Sequence, residues 1–162
     1  MRVTQFLADQ HVTFEEMPHA PAFNSQRLAK SLRISGRQVV KSVLLRGPKG
    51  FLIAVLPAAS SIDLARLGTL MNADLRLATE DELVDLFNDC EWGAVMPFGR
   101  LYGLQTVLEA TIPLDATIVF QAQRHMLAIK MQCRDFVKLE RPERLAFAKE
   151  PVIAHRPNPR AG

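Results

Sequence analysis

Two apolar stretches, Gln38 to Arg46 and Phe51 to Pro57, are separated only by Gly47-Pro48-Lys49-Gly50. That spacing predicts a β-hairpin. Val39, Val40, Val43, Leu44 and Leu45 fall on both faces of the first strand, and Leu52, Ile53, Ala54, Val55 and Leu56 do the same in the second. Strands that are apolar on both faces are covered on both.

The flanking segments supply that cover. Thr4 to Gln10 reads as a short helix and Val12 to Met17 as a strand. Ser25 is placed to cap a helix whose apolar set is Leu28, Ala29 and Leu32, with Gly36 to stop it. Beyond the hairpin, Ser61 to Met71 has helical spacing through Ile62, Leu64, Leu67 and Leu70, and Leu75 to Ala78 reads as a short strand. Thr79 and Glu82 have capping-box spacing and open a further helix through Leu83, Leu86 and Phe87. Strands are expected at Gln105 to Glu109, Thr117 to Phe120 and His125 to Met131, then a helical turn at Asp135 to Leu139. The expected fold class is α/β: one compact domain, a mixed and largely antiparallel sheet flanked by helices. A chain of 162 residues suits one core rather than two. Residues 1–140 form that domain in this reading. Residues 141–162, with Pro142, Pro151, Pro157 and Pro159, read as a basic, flexible tail.

Charge narrows the function classes. The net +3 resides in the tail, because residues 1–140 carry 15 Lys and Arg against 15 Asp and Glu. Contact with nucleic acid by the body must therefore come from local clustering of charge. Cys90 and Cys133 stand alone and the four histidines are scattered, which gives neither zinc spacing nor a disulfide framework. Neither a secretory signal nor a spanning segment is readable, and a cytoplasmic setting is expected. The G-x-S-x-G elbow, the P-loop, G-x-G-x-x-G and H-E-x-x-H are all missing.

Lys41 is the most informative polar residue, since it sits within Val39-Val40-Lys41-Ser42-Val43-Leu44-Leu45. A lysine there is costly to desolvate and needs a purpose or a partner. Taken alone, snorkelling to the sheet edge or pairing with a buried carboxylate is favoured by about two to one over a site role. The segment Gly93-Ala94-Val95-Met96-Pro97-Phe98-Gly99 combines residues that let a ligand near the backbone with one that fixes its course. Its N–H groups could hold a carbonyl oxygen that gains charge during ester hydrolysis, although on glycine content alone a tight helix-to-strand connection is the better explanation. His125, after a polar turn, and His19, in Met17-Pro18-His19-Ala20-Pro21, could orient a hydroxyl or carboxyl group. For His125 a surface histidine at a strand end is the commoner explanation, and His19 is equally well a turn residue. Asp63 and Asp135 are most simply helix-start carboxylates.

In order, Val39-Val40-Lys41-Ser42-Val43-Leu44-Leu45, Ala54-Val55-Leu56-Pro57, Ile62-Asp63-Leu64, Gly93 to Gly99, and Phe120-Gln121-Ala122 with His125 and Ile129 resemble the YbaK family. That family contains free-standing deacylases and the editing domain inserted in bacterial prolyl-tRNA synthetases. The match runs from about Val12 to Leu139. The resemblance implies hydrolysis of an amino acid wrongly esterified to tRNA, a small one such as Ala or Cys, on tRNA-Pro. It implies no metal and no cofactor. Lys41 and Gly93 are the expected catalytic residues, Lys41 as the anchor of the substrate end and Gly93 as the start of the G-x-x-x-P loop. Ala94, Pro97, His125 and His19 are expected to shape the substrate pocket, and the apolar loop interior Ala94-Val95-Met96 to suit a small uncharged side chain. The partner implied is the acceptor end of aminoacyl-tRNA, with a prolyl-tRNA synthetase or a translation factor as a further partner, and neither DNA nor membrane. The alternatives are a non-catalytic tRNA- or synthetase-binding module, or a nucleotide-like ligand-binding domain of the same fold. One position departs from the pattern: many members carry glycine where this chain has Gln123.

Overall fold

A computed structural model describes residues 2–20, 25–91 and 95–150. Its elements in chain order are α1 (Arg2–Asp9), β1 (Phe14–Pro18), α2 (Ser25–Leu32), β2 (Val40–Gly47), β3 (Gly50–Pro57), β4 (Ser61–Ile62), α3 (Leu64–Met71) and β5 (Arg76–Leu77). There follow α4 (Glu80–Leu86), a 3₁₀ turn (Gly99–Tyr102), β6 (Gln105–Glu109), β7 (Thr117–Gln121), β8 (Leu127–Gln132), α5 (Cys133–Glu140), β9 (Glu143–Leu145) and β10 (Ala148–Lys149).

The hairpin is present and central. β2 and β3 pair antiparallel from Val40 opposite Pro57 to Gly47 opposite Gly50, which turns at φ +124°. β5 adds antiparallel to β2, β6 adds parallel to β3, and β9 adds parallel to β6. A second, antiparallel sheet of β1, β8 and β7 joins the first through a parallel bridge between Val39 and Val119.

Both faces are covered, as the apolar strands require. On one face Val40, Leu44, Ile53, Val55 and Leu108 pack with Val3 and Leu7 of α1 and Phe136 of α5. On the other, α2 lays Leu28 and Ala29 over Val39, Val119 and Ala128, while Leu67 of α3 and Phe147 cover Leu45, Leu52, Ala54, Leu56 and Val107. The second face is therefore built from two separate clusters.

Local signals were largely sufficient. Thr79 and Glu82 exchange the reciprocal bonds of a capping box at the start of α4. Asp63 caps α3 by accepting from Arg66 N, so Ser61 and Ile62, expected to be helical, form β4 instead. The turn expected at Asp135 to Leu139 is a full helix, α5. The flexible tail is corrected over residues 143–149. There β9 adds to the five-stranded sheet, β10 pairs antiparallel with β4 as a separate two-stranded sheet, and Phe147 is buried. The buried Glu109 carboxylate holds this segment by accepting from the backbone N–H of Phe147 and Ala148 at 2.7 and 2.8 Å. Residues 151–162 lie outside the described residues.

Candidate functional site

Strand alternation places Lys41 on the same sheet face as Val39 and Val43. Val39 belongs to the cluster under α2, and Val43 packs against the cluster under α3. Lys41 therefore emerges between the two clusters. It is half-buried, and among the described residues its side chain makes no hydrogen bond or ion pair. Burial pushes its ammonium pKa down. The bridge between Val39 and Val119 sets Lys41 level with Gln121, and Gln121 pairs with Ala128, itself opposite Met17. Lys41, Gln121 and Met17 thus share one face, and His19 follows Met17 with the same alternation.

Three chain segments meet beside this row. The His19 N–H donates to Met126 O at 3.0 Å, which ties the end of β1 to the turn carrying His125. Glu91 N donates to Gln123 O at 2.8 Å, and His125 N donates to a Glu91 carboxylate oxygen at 2.8 Å. These bonds dock the segment leading into the G-x-x-x-P loop onto the same turn. His19 is further fixed by its Nδ1, 2.6 Å from Ala20 O, an arrangement that requires the proton on Nδ1.

Gly93 and Ala94 lie outside the described residues, but the far end of the loop is anchored firmly. Pro97 is buried, and Phe98 makes edge-to-face contacts with Phe6, Phe120 and Phe136 at centroid distances of 5.8, 5.7 and 5.1 Å. Gly99 then passes so close to β6 that a Cβ would meet Thr106 Oγ1 at 2.6 Å. Its N–H donates to that oxygen at 3.2 Å. Thr106 Oγ1 in turn donates to Glu140 at 2.6 Å, and the same carboxylate oxygen accepts from Arg100 N at 2.9 Å. Burial pushes the Glu140 carboxyl pKa up, partly offset by these bonds. One expectation is corrected: Met96, read as pocket lining, is buried in the main core, and Val95 packs partly against it.

Gln123 occupies a left-handed backbone position, φ +65°, which glycine adopts without strain. Its side chain compensates. Oε1 accepts from Val3 N at 3.4 Å, and Nε2 donates to Asp89 Oδ2 at 3.1 Å. Asp89 also accepts from the Tyr102 hydroxyl at 2.9 Å, which lies 3.3 Å from Cys90 Sγ. Burial pushes the Cys90 thiol pKa up.

The sequence profile of the aminoacyl-tRNA editing domain matches residues 19–139, three quarters of the chain, a span that contains His19, Lys41, Pro97, Gln123 and His125. The chain belongs to that family. No curated protein matches it. Among solved structures, hypothetical protein APE2540 superposes with a TM-score of 0.83 at 18% identity, over 92% of this chain and 100% of its own. A "putative trans-editing enzyme for prolyl tRNA synthetase" superposes with a TM-score of 0.77 at 21% identity, over 91% of this chain and 95% of its own. At such identities the likeness is one of fold. The same fold forms 31% of a "Putative signal transduction protein" from Marinobacter aquaeolei VT8, with a TM-score of 0.73 at 21% identity.

Within the editing domain, then, His19 and His125 fall on segments bonded at one turn, Lys41 lies on the neighbouring sheet face, and Pro97 stands at the anchored far end of the loop. Sequence reasoning missed Asp89 and Glu91, which join the loop to that turn. Their only signal was a pair of acids placed just before a glycine-containing loop.

Proposed function

We propose that the protein hydrolyses the ester of mischarged aminoacyl-tRNA in trans, removing a small amino acid such as Ala or Cys from tRNA-Pro. The observation that carries this reading is Lys41, a half-buried cation with no side-chain partner among the described residues, on the open stretch of sheet between two apolar clusters. A cation left in that state is poised for a phosphate or carbonyl oxygen supplied by the substrate.

Little more is demanded of side chains. The ester is already activated, and water serves as the nucleophile. The neighbouring ribose hydroxyl assists proton transfer, and backbone N–H groups of the loop that starts at Gly93 and Ala94 polarise the carbonyl. Pro97 and the buried Phe98 hold that loop's shape, while His19 and His125 orient the substrate end. A pocket of fixed size excludes larger side chains but separates similar ones poorly, which suits removal of small residues.

The test is a panel of tRNAs charged with alanine, cysteine, serine or proline, incubated with wild type and Lys41→Ala. Loss of one mischarged species, abolished in the variant, supports the reading. Stability of every species to wild type transfers the fold to the role of a binding module.

A further inference from the structure

Charge in the folded domain is segregated in a way its neutral total conceals. From Met17 to Ile62 there is no Asp or Glu, while Arg27, Lys30, Arg33, Arg37, Lys41, Arg46 and Lys49 all occur. The rest of residues 1–140 holds eight cations against fifteen anions. The fold brings the first five of these cations to one side. α2 spends Leu28 and Ala29 on the cluster over Val39 and Val119, which turns Arg27 and Lys30 outward on exposed positions. Arg33 follows at the helix end in a left-handed conformation, φ +56°, and is also exposed. Arg37 is exposed in the next turn, and Lys41 rises on the sheet face that α2 partly covers.

Three of these cations are left without an ion pair: among the described residues the side chains of Lys30, Arg33 and Lys41 have none. Arg37 has only Glu150 at 3.8 Å, with both side chains more than 70% exposed, a geometry that contributes little. The nearest acid in register, Glu15, already lies opposite Lys130 across β1 and β8.

We propose that the outward side of α2 and the turn after it, Arg27, Lys30, Arg33 and Arg37, form an interaction surface for the phosphate backbone of RNA. It would receive the strand whose end reaches Lys41. The inference rests on the deacylase reading for which RNA is involved, and adds where the protein grips it. A polyanion is the fitting partner because the surface offers several exposed guanidinium and ammonium groups and no carboxylate of its own stretch. Phosphate contacts of this kind position the substrate without reading its sequence.

The experiment compares wild type, the triple variant Arg27→Gln/Lys30→Gln/Arg33→Gln, and a control, Arg66→Gln/Arg134→Gln/Lys138→Gln, at exposed positions elsewhere. Binding of uncharged tRNA is followed by fluorescence anisotropy across salt concentrations, with Tm as a check on folding. The surface predicts that the triple variant binds at least tenfold more weakly at low salt and that the slope of log K against log salt becomes shallower by about 2, one contact contributing roughly 0.7 to 0.9. The control should keep the wild-type slope. In turnover KM should rise with kcat unchanged, and an aminoacyl ester of adenosine alone should be hydrolysed as by wild type. Equal loss in both variants, an unchanged slope in the triple variant, or equally tight binding of an acidic peptide would overturn the proposal. If wild type hydrolyses no ester, the deacylase reading fails, while the tRNA-binding comparison still decides whether this surface holds RNA.

Discussion

Gln123 donates through Nε2 to Asp89 Oδ2 at 3.1 Å from a backbone position, φ +65°, that costs an L-residue about 1–2 kcal/mol. The side chain is buried, at 5% exposure, and its oxygen accepts from Val3 N. A strained residue thereby staples α1 and the segment before the loop onto the turn that carries His125. At most positions alanine is tolerated better than glycine. Here the order should reverse, because Gln123→Ala loses both side-chain bonds and keeps the strain, whereas Gln123→Gly loses the bonds and relieves it. Thermal unfolding should rank wild type above glycine and glycine above alanine, the last two differing by about 1 kcal/mol, or roughly 2–4 °C in Tm. Alanine melting at or above glycine would remove the strain from the argument.

Lys41 should show the opposed demands of stability and site. Its ammonium is half-buried with no side-chain partner among the described residues, so Lys41→Met should raise stability at neutral pH by about 0.5–1 kcal/mol, seen as a higher Tm, while abolishing deacylation. Because its pKa is depressed in the folded state, the unfolded chain binds the proton more tightly. Wild-type stability attributable to this group therefore rises with pH in the window just below the ordinary lysine value, and the advantage of methionine should shrink there. A Tm lowered at every pH would indicate that Lys41 is held by favourable contacts.

What the sequence revealed follows from how local each determinant is. The β2–β3 hairpin, the capping box at Thr79 and the strand through Gln105 to Glu109 depend on neighbouring residues, and each was legible. Met96 was misread because an apolar residue in a loop looks the same whether it lines a pocket or enters the core. That choice is made by Phe98 and its distant ring partners. The basic side of α2 was open to reading, since a stretch without acids is visible in the text, yet the balanced total obscured it. The bonds from Gln123 to Val3 and Asp89 span 120 and 34 residues, and no local pattern announces them.

Two buried carboxylates should give opposite pH signatures. Glu109 accepts from four groups, the backbone N–H of Thr111, Phe147 and Ala148 and the Thr111 hydroxyl. Burial alone would raise its pKa, but these donors together outweigh burial and lower it. Its contribution is present above the unfolded carboxylate value and lost as pH falls through the lower folded value. For Glu140 the folded pKa is raised, chiefly by burial, so the folded state holds the proton more tightly. Its contribution is present at low pH and lost as pH rises through the folded value. Tm followed from pH 3 to pH 8 should therefore show the deficit of Glu109→Gln growing with pH, and the Tm of Glu140→Gln rising relative to wild type over the range just above the ordinary carboxylate value. Parallel curves for either variant would contradict its assigned shift.

The C-terminal segment decides where the domain ends. Cutting the chain after Glu140 removes Phe147, fully buried in the cluster under α3, together with β9 and β10 and two of the four donors to Glu109. Losing a buried phenylalanine alone costs about 3–5 kcal/mol, a large share of a marginally stable domain. A chain ending at Glu140 should therefore melt far below wild type or fail to fold, and Phe147→Ala should reproduce much of that loss in the full chain. A chain ending at Glu150 keeps every one of these contacts and should melt well above the chain ending at Glu140. Since Arg156 and Arg160 lie beyond Glu150, its tRNA affinity across salt also separates the tail from α2 as the source of RNA attraction. An unchanged slope after that truncation, beside a shallower one in the α2 variant, assigns the attraction to the folded domain.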